Sequence, residues 1–287
     1  MGFTEEAEAY MSFISDRMRH NRKEDGGLPI MFSIRGETDL PEIELSHLDG
    51  YRGSKPVRIG NGAAFHKQLD IYGELMDAIY LYNKYGKPVS YDQWVAVRSI
   101  TDYVCGVWKE TDMSIWEVRG QKQQFVYSKI MLWVALDRAL RLAEKRSFPA
   151  PNRANWLATK DEIYDNVMEK GYNQKMQCFI QSYEANEVLD SAVLIAPLVF
   201  FIAPNDPRFT STLEAILKPP EKGGLTSTGL VYRYNWLKSD DGERYLVRKL
   251  VADPFTDILL SRCWRERRCI QHVHFLAHRS TNQSRCI

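Results

Sequence analysis

The chain has 287 residues, with 38 Lys and Arg against 37 Asp and Glu, a formal net charge of +1. That length is enough to bury a sizeable core in one domain, with two possible. The near-zero charge provides no global field to attract nucleic acid or an anionic membrane. No apolar run reaches the ~18 residues of a membrane span; the longest, Ala192 to Ala203, is broken by Pro197.

Helical periodicity dominates. Residues 4–20 carry Ala7, Tyr10, Met11, Ile14 and Met18 on one stripe. Residues 66–85 repeat the pattern with Leu69, Tyr72, Leu75, Met76, Ile79 and Tyr80, ending at Gly86 and Pro88. Further helices are predicted over Asp92–Trp108, Phe125–Lys145, Asn152–Glu169, Glu184–Phe201 (interrupted at Pro197) and Pro207–Leu217, the last followed by Pro219-Pro220. The one predicted strand is Ile30–Ile34, before the Gly36-Glu37 turn. Consecutive helices with no strands between them predict an all-α domain. Periodicity leaves a bundle, an α-solenoid and an α/α toroid open. The solenoid lacks support, since no string recurs at a repeat spacing.

Candidate chemistry centres on Asp112-Met-Ser-Ile-Trp-Glu-Val-Arg119. Glu117 lies between Trp116 and Val118, and apolar neighbours disfavour ionisation of a carboxyl group. A carboxylic acid still protonated near neutral pH suits a general acid in glycoside hydrolysis. Around it come Pro56-Val-Arg-Ile-Gly-Asn61, Gln68-Leu-Asp-Ile-Tyr-Gly73, Ser128-Lys129, Trp133, Asp137-Arg138, Gly171-Tyr-Asn173, Asp190, Asp206-Pro-Arg208 and Gly229-Leu-Val-Tyr-Arg-Tyr234. In this order and spacing the set resembles glycoside hydrolase family 15, the glucoamylase family, and most closely its trehalase-like and glucodextranase-like branch.

The resemblance runs from about residue 1 to about 242. It implies an all-α fold, part of an (α/α)6 toroid with an incomplete ring, whose loops at one mouth supply the chemistry. It implies inverting hydrolysis of an α-glucosidic bond in trehalose or a short α-glucoside, with Glu117 as the general acid and no metal or organic cofactor. Trp116 would pack on the sugar or serve the core. Arg119 would orient a carboxylate or a sugar hydroxyl, or form a surface ion pair. Gln68 and Asp70 would approach the glucose pocket, although Asp70 is equally placed to brace a helix. Arg233 occupies the position of a sugar-binding Arg. Arg58 and Asn61 would line the pocket or hold their own loop, with the second favoured. Val118 stands where glucoamylases proper carry a second acid, which points away from starch. The partner implied is a small carbohydrate, with neither nucleic acid nor membrane.

The family's Arg-Asp pair that grips glucose lies upstream of the first residues, and its general base lies far downstream of the acid. The chain is therefore expected to be a fragment, with no residue assigned as the base. The alternative expectation is an inactive remnant with at most weak sugar binding. Residues 243–287 are expected to be an aberrant tail, frameshifted or intron-derived: codons compatible with Trp264–His278, read one base out of frame, can spell a family-like segment. Within it Cys263, Cys269, His272, His274 and His278 match no compact zinc spacing. Five Cys without framework spacing, and a first segment unlike a signal peptide, predict a cytoplasmic protein.

Overall fold

The computed structural model describes residues 3–118, 120–227 and 230–235. Arg119, the boundary at residue 242, the tail from 243 and its Cys and His residues lie outside the described residues.

Six α-helices account for most of the described residues: α1 Thr4–His20, α2 Ile71–Tyr85, α3 Tyr91–Val107, α4 Val126–Arg146, α5 Arg153–Lys170 and α6 Pro207–Leu217. Local chemistry explains their ends. α1 carries Glu5 and Glu6 in its first turn and Arg17, Arg19 and His20 in its last, both favourable to the helix dipole. α3 starts with a capping box between Ser90 and Gln93. α6 starts where the Asp206 carboxylate accepts from the Arg208 N–H, with Pro207 in the first turn.

α4 is the hub. Almost every residue from Val126 to Ala143 is buried, polar Lys129, Asp137 and Arg138 included. A helix buried on all sides is enclosed by others. α2 lies along it, while α3 and α5 pack on it from the outside. The outer contact is aromatic: Trp94 of α3 stacks on Phe148 and meets Trp156 of α5 edge-on. The Trp156 Nε1–H donates to Asp102 at 2.7 Å.

The α2–α4 approach is set by Gly73, where an added Cβ would stand 2.1 Å from the Met131 carbonyl oxygen. We expect Gly73→Ala to lower stability by about 2–3 kcal/mol in a urea titration, as overpacking against backbone does. Alanine's helix propensity, about 1 kcal/mol in the opposite direction, does not offset this. A variant as stable as the parent would show that the two helices separate freely.

Connections alternate in length. Those from α2 to α3 and from α4 to α5 are short, whereas residues 21–70, 108–125 and 171–206 are long. All three long segments therefore gather at one end of the helices. They carry two antiparallel ribbons: β1 Ile43–Glu44 with β2 Arg58–Ile59 (Ile43 opposite Ile59), and β3 Tyr172–Asn173 with β4 Cys178–Phe179 (Tyr172 opposite Phe179). A third, β5 Thr226–Ser227 with β6 Leu230–Val231, follows α6.

Three expectations are corrected. Residues 184–201 are not an α-helix. Ser191–Ile195 form a 3₁₀ turn, continued by i to i+3 bonds such as Leu198 N–H to Ile195 O. Asp190 caps that turn in an extended conformation, and Pro197 lacks the N–H a longer helix needs. Ile30–Ile34 form no strand. The helix expected from residue 66 begins at Ile71, because Lys67 O and Leu69 N–H are taken by Met113 and Asp112.

Candidate active site

The α3–α4 loop is built around one buried carboxylate. Asp112 accepts from Leu69 N–H (2.8 Å), Ser128 Oγ–H (2.7 Å) and Ser114 N–H (3.3 Å). It thereby ties the segment before α2, its own loop and the first turn of α4 to one point. Its backbone also pairs with Gln123 in both directions. Burial raises its carboxyl above the usual range, against the opposing pull of those donors and of Lys129. Lys129, 1 % exposed, donates to the Trp108 and Glu110 carbonyls where α3 ends. Burial brings its ammonium down to about 8.

From this anchor the chain makes a tight turn through Ser114–Glu117. The Glu117 N–H bonds the Ser114 carbonyl and Val118 N–H bonds that of Met113. Ser114 and Glu117 both adopt left-handed backbone, with φ of 64° and 53°. Such conformations cost an L-residue about 1–2 kcal/mol and cluster where geometry serves function. Val118 is buried and Glu117 half-buried. Glu117 is therefore on a turn, outside any helix, and Lys109 pairs with Glu162.

The amide of Asn61 donates to both Glu117 carboxylate oxygens, at 3.2 and 3.4 Å. Its own carbonyl oxygen accepts from Ala63 N–H, which fixes which way the amide faces. Asn61 thus holds its loop and touches the candidate acid. Arg58 is engaged elsewhere, with Glu42 and Glu44.

Trp116 points into a polar cluster. Its Nε1–H lies 2.9 and 3.0 Å from the two oxygens of Asp190. Asp190 also accepts from Ala192 N–H and the Gln181 amide. The Arg233 guanidinium lies over the Trp116 ring at 5.1 Å, a cation–π geometry. Arg233 Nε is buried without a hydrogen-bond partner among the described residues. The Arg233 carbonyl accepts from Ser191 N–H. Burial pushes the Asp190 carboxyl up to about 6 against the pull of its donors and of Arg233. Folding therefore takes up a proton at Asp190 between its ordinary value of 3.8 and about 6, and this group's contribution to stability rises as pH falls through that window.

Gln68 and Asp70 lie behind the loop. Asp70, 1 % exposed, precedes α2 and makes no capping bond. Burial, then the nearby charges of Glu74 and Asp112, raise its carboxyl well above the usual range. Glu74 in turn accepts from the Tyr127 hydroxyl. Gln68 Nε2 and Asp70 Oδ1 are buried without partners among the described residues. Gln68 lines a cavity of about 90 Å³ with Lys23, Asp25, Tyr72, Tyr103 and Lys122, which Trp116, Glu117 and Arg233 do not line.

Three of the residues picked out in the sequence, Trp116, Glu117 and Arg233, thus stand together. Gln68 and Asp70 adjoin the α3–α4 loop through their neighbours, Leu69 N–H on Asp112 and Lys67 O on Met113. Sequence reasoning underweighted Asn61 as a contact of the acid, and gave Asp190 and Gln181 no role at the site. The signal for Asp190 was available: an Asp opening the long apolar run from Ala192 needs buried partners.

A profile of the family described as Glycosyl hydrolases family 15 matches residues 1–268. A trehalase of Mycobacterium tuberculosis is 39 % identical over 242 residues, covering 84 % of this chain and 34 % of that protein. One from Thermoplasma acidophilum is 36 % identical over 245 residues, covering 84 % and 40 %. The chain thus spans between a third and two fifths of the length of these curated relatives. Among solved structures, a glycosidase variant in complex with glucose superimposes with a TM-score of 0.55 at 18 % identity, over 79 % of this chain and 53 % of that one. At that identity the likeness concerns the fold, a double ring of helices.

Proposed function

The chain belongs to glycosyl hydrolase family 15, and from that premise we propose that it carries out inverting hydrolysis of the α-glucosidic bond of trehalose or short α-glucosides, with the acid side of its site among the described residues. Glu117 is the general acid. It delivers its proton to the glycosidic oxygen as the bond from that oxygen to the anomeric carbon breaks. Water attacks the same carbon from the opposite face and loses its proton to a second carboxylate, which inverting enzymes place about 6.5–9.5 Å from the acid. No residue among those described is assigned that second role.

The observation that carries this reading is the placement of Glu117. Its carboxyl is held on a strained turn by the Asn61 amide, next to an indole that is itself fixed by Asp190 and covered by Arg233. Each carboxyl oxygen has two lone pairs. Asn61 engages one on each, and the others remain for the transferable proton. Trp116 supplies an apolar platform for a sugar ring, and the Arg233 Nε–H, which has no partner among the described residues, supplies a donor for a hydroxyl. Gln68 and Asp70 bring buried polar atoms without partners among the described residues to the same loop system, and Arg119 is assigned to the site by its place two residues after the acid.

The relatives' name, trehalase, favours trehalose as substrate. Proton transfer between carboxyl groups and water needs no cofactor. The free thiols of Cys105 and Cys178 agree with a cytoplasmic setting. No helix among the described residues is long and apolar enough to cross a membrane.

The test is hydrolysis of trehalose beside cellobiose, a β-linked glucoside. Release of glucose from trehalose alone is expected. Cleavage of cellobiose, or of neither sugar, contradicts the proposal.

A further inference from the structure

Asp190 is a buried acid that holds the indole next to the candidate acid, and the hydrolytic step as described does not use it. Its two oxygens accept from three groups in three parts of the chain, and a fourth part brings the charge of Arg233 near it. Trp116 comes from the α3–α4 loop and Gln181 from the segment after β4. Ala192 N–H comes from the 3₁₀ turn, and Arg233 from the segment after β6. Tyr127 of α4 also feels its charge. The backbone repeats the connection: Asp190 bridges to Tyr234, and Ser191 N–H bonds the Arg233 carbonyl. Asp190 thus holds the edge of the indole whose face Arg233 covers, one residue from Glu117.

We infer that Asp190 is a positioning residue that fixes the Trp116 indole and Arg233 as one unit against the sugar, so that its ionisation state sets how that unit presents itself. This rests on the reading of Glu117 and Trp116 as a sugar site. A carboxylate accepts from the indole through both oxygens, whereas the neutral acid carries a proton on one of them. Protonation therefore loosens the Trp116 contact and weakens the attraction of Arg233. The carboxyl titrates near 6, within reach of ordinary solution conditions.

The experiment is a pH series of indole ¹H–¹⁵N spectra on the whole chain. The Trp116 resonance is assigned by its loss in Trp116→Phe. In the unmodified chain this resonance is expected to move with a midpoint near 6, and in Asp190→Asn to stay fixed. A flat Trp116 resonance between about pH 4 and 8, a window spanning ordinary and raised carboxyl values, overturns the inference without any variant at Asp190. So does a transition that persists in a folded Asp190→Asn chain.

Trehalose titrated into the same samples then separates the two readings. An indole response whose half-saturation is about tenfold weaker in Asp190→Asn, the worth of one hydrogen bond to a charged acceptor, supports the positioning role. A response of equal affinity in both chains contradicts it. The pH transition without any sugar response keeps the Asp190–Trp116 linkage and removes the sugar-site reading beneath it.

Discussion

Glu117→Gln is expected to lower the turnover of trehalose by about 10²–10⁴, the usual contribution of a general acid, while leaving the melting temperature within a degree or two of the parent. The amide matches the carboxyl in shape and keeps a carbonyl oxygen for the Asn61 amide. What it lacks is a proton to give. That difference can be isolated with a substrate whose leaving group needs no proton. α-Glucosyl fluoride departs as fluoride, so the variant should process it at close to the parental rate. Equal loss on both substrates would assign Glu117 to binding or to water activation instead. The turn adds a second expectation. Glu117 sits at φ 53°, a conformation free to glycine but costly to other residues. Glu117→Gly should therefore be inactive on trehalose and at least as stable as the parent, as expected where strain is retained for chemistry.

Asp112→Ala should be the most damaging single change to stability in the loop system. The alanine leaves Leu69 N–H, Ser114 N–H and Ser128 Oγ–H without their acceptor in a buried site. Each orphaned donor costs about 1–3 kcal/mol. It also removes the counter-charge of Lys129. A loss on the order of 3–5 kcal/mol is expected from urea denaturation, the range found when one partner of a buried charged network is removed. Asp112→Asn keeps one acceptor and should cost roughly half as much. Because Asp112 fixes both the segment before α2 and the turn bearing Glu117, the folded fraction of the alanine variant should also lose activity. A change below about 0.5 kcal/mol, the size of an ordinary surface substitution, would show that water satisfies these donors and that the anchor is dispensable.

Which parts of this were legible in the sequence follows from the range of the interactions. α6 was read with its bounds intact because an Asp cap, a Pro in the first turn and a Pro pair beyond the end are all local signals. The start of α2 was read five residues early. The apolar stripe continues through Leu69, but the backbone there is committed to Asp112 and Met113, more than forty residues away. The stretch 184–201 was misread for a related reason. Its apolar density reflects burial against the hub helix, and periodicity alone does not separate a buried 3₁₀ turn from a buried α-helix. At the site, Trp116 and Glu117 were found from their neighbours and from the family resemblance. The contact of Arg233 with Trp116 joins residues over a hundred positions apart, and no spacing rule reaches that far. Asn61 was read as a loop brace, which it is, through Ala63. Its second contact, with Glu117, needed the folded chain.

The stereochemistry of the reaction distinguishes a general acid of an inverting site from the alternatives. Trehalose joins two glucose units through one oxygen, both in the α configuration. Inversion at the attacked carbon releases one β-glucose from that side and one α-glucose from the leaving side. Following trehalose hydrolysis by ¹H NMR before the anomers interconvert should therefore show the two appearing in equal amounts. Release of α-glucose alone would mean retention, and with it a nucleophilic carboxylate about 5–5.5 Å from the acid, in contradiction to the role given to Glu117 here.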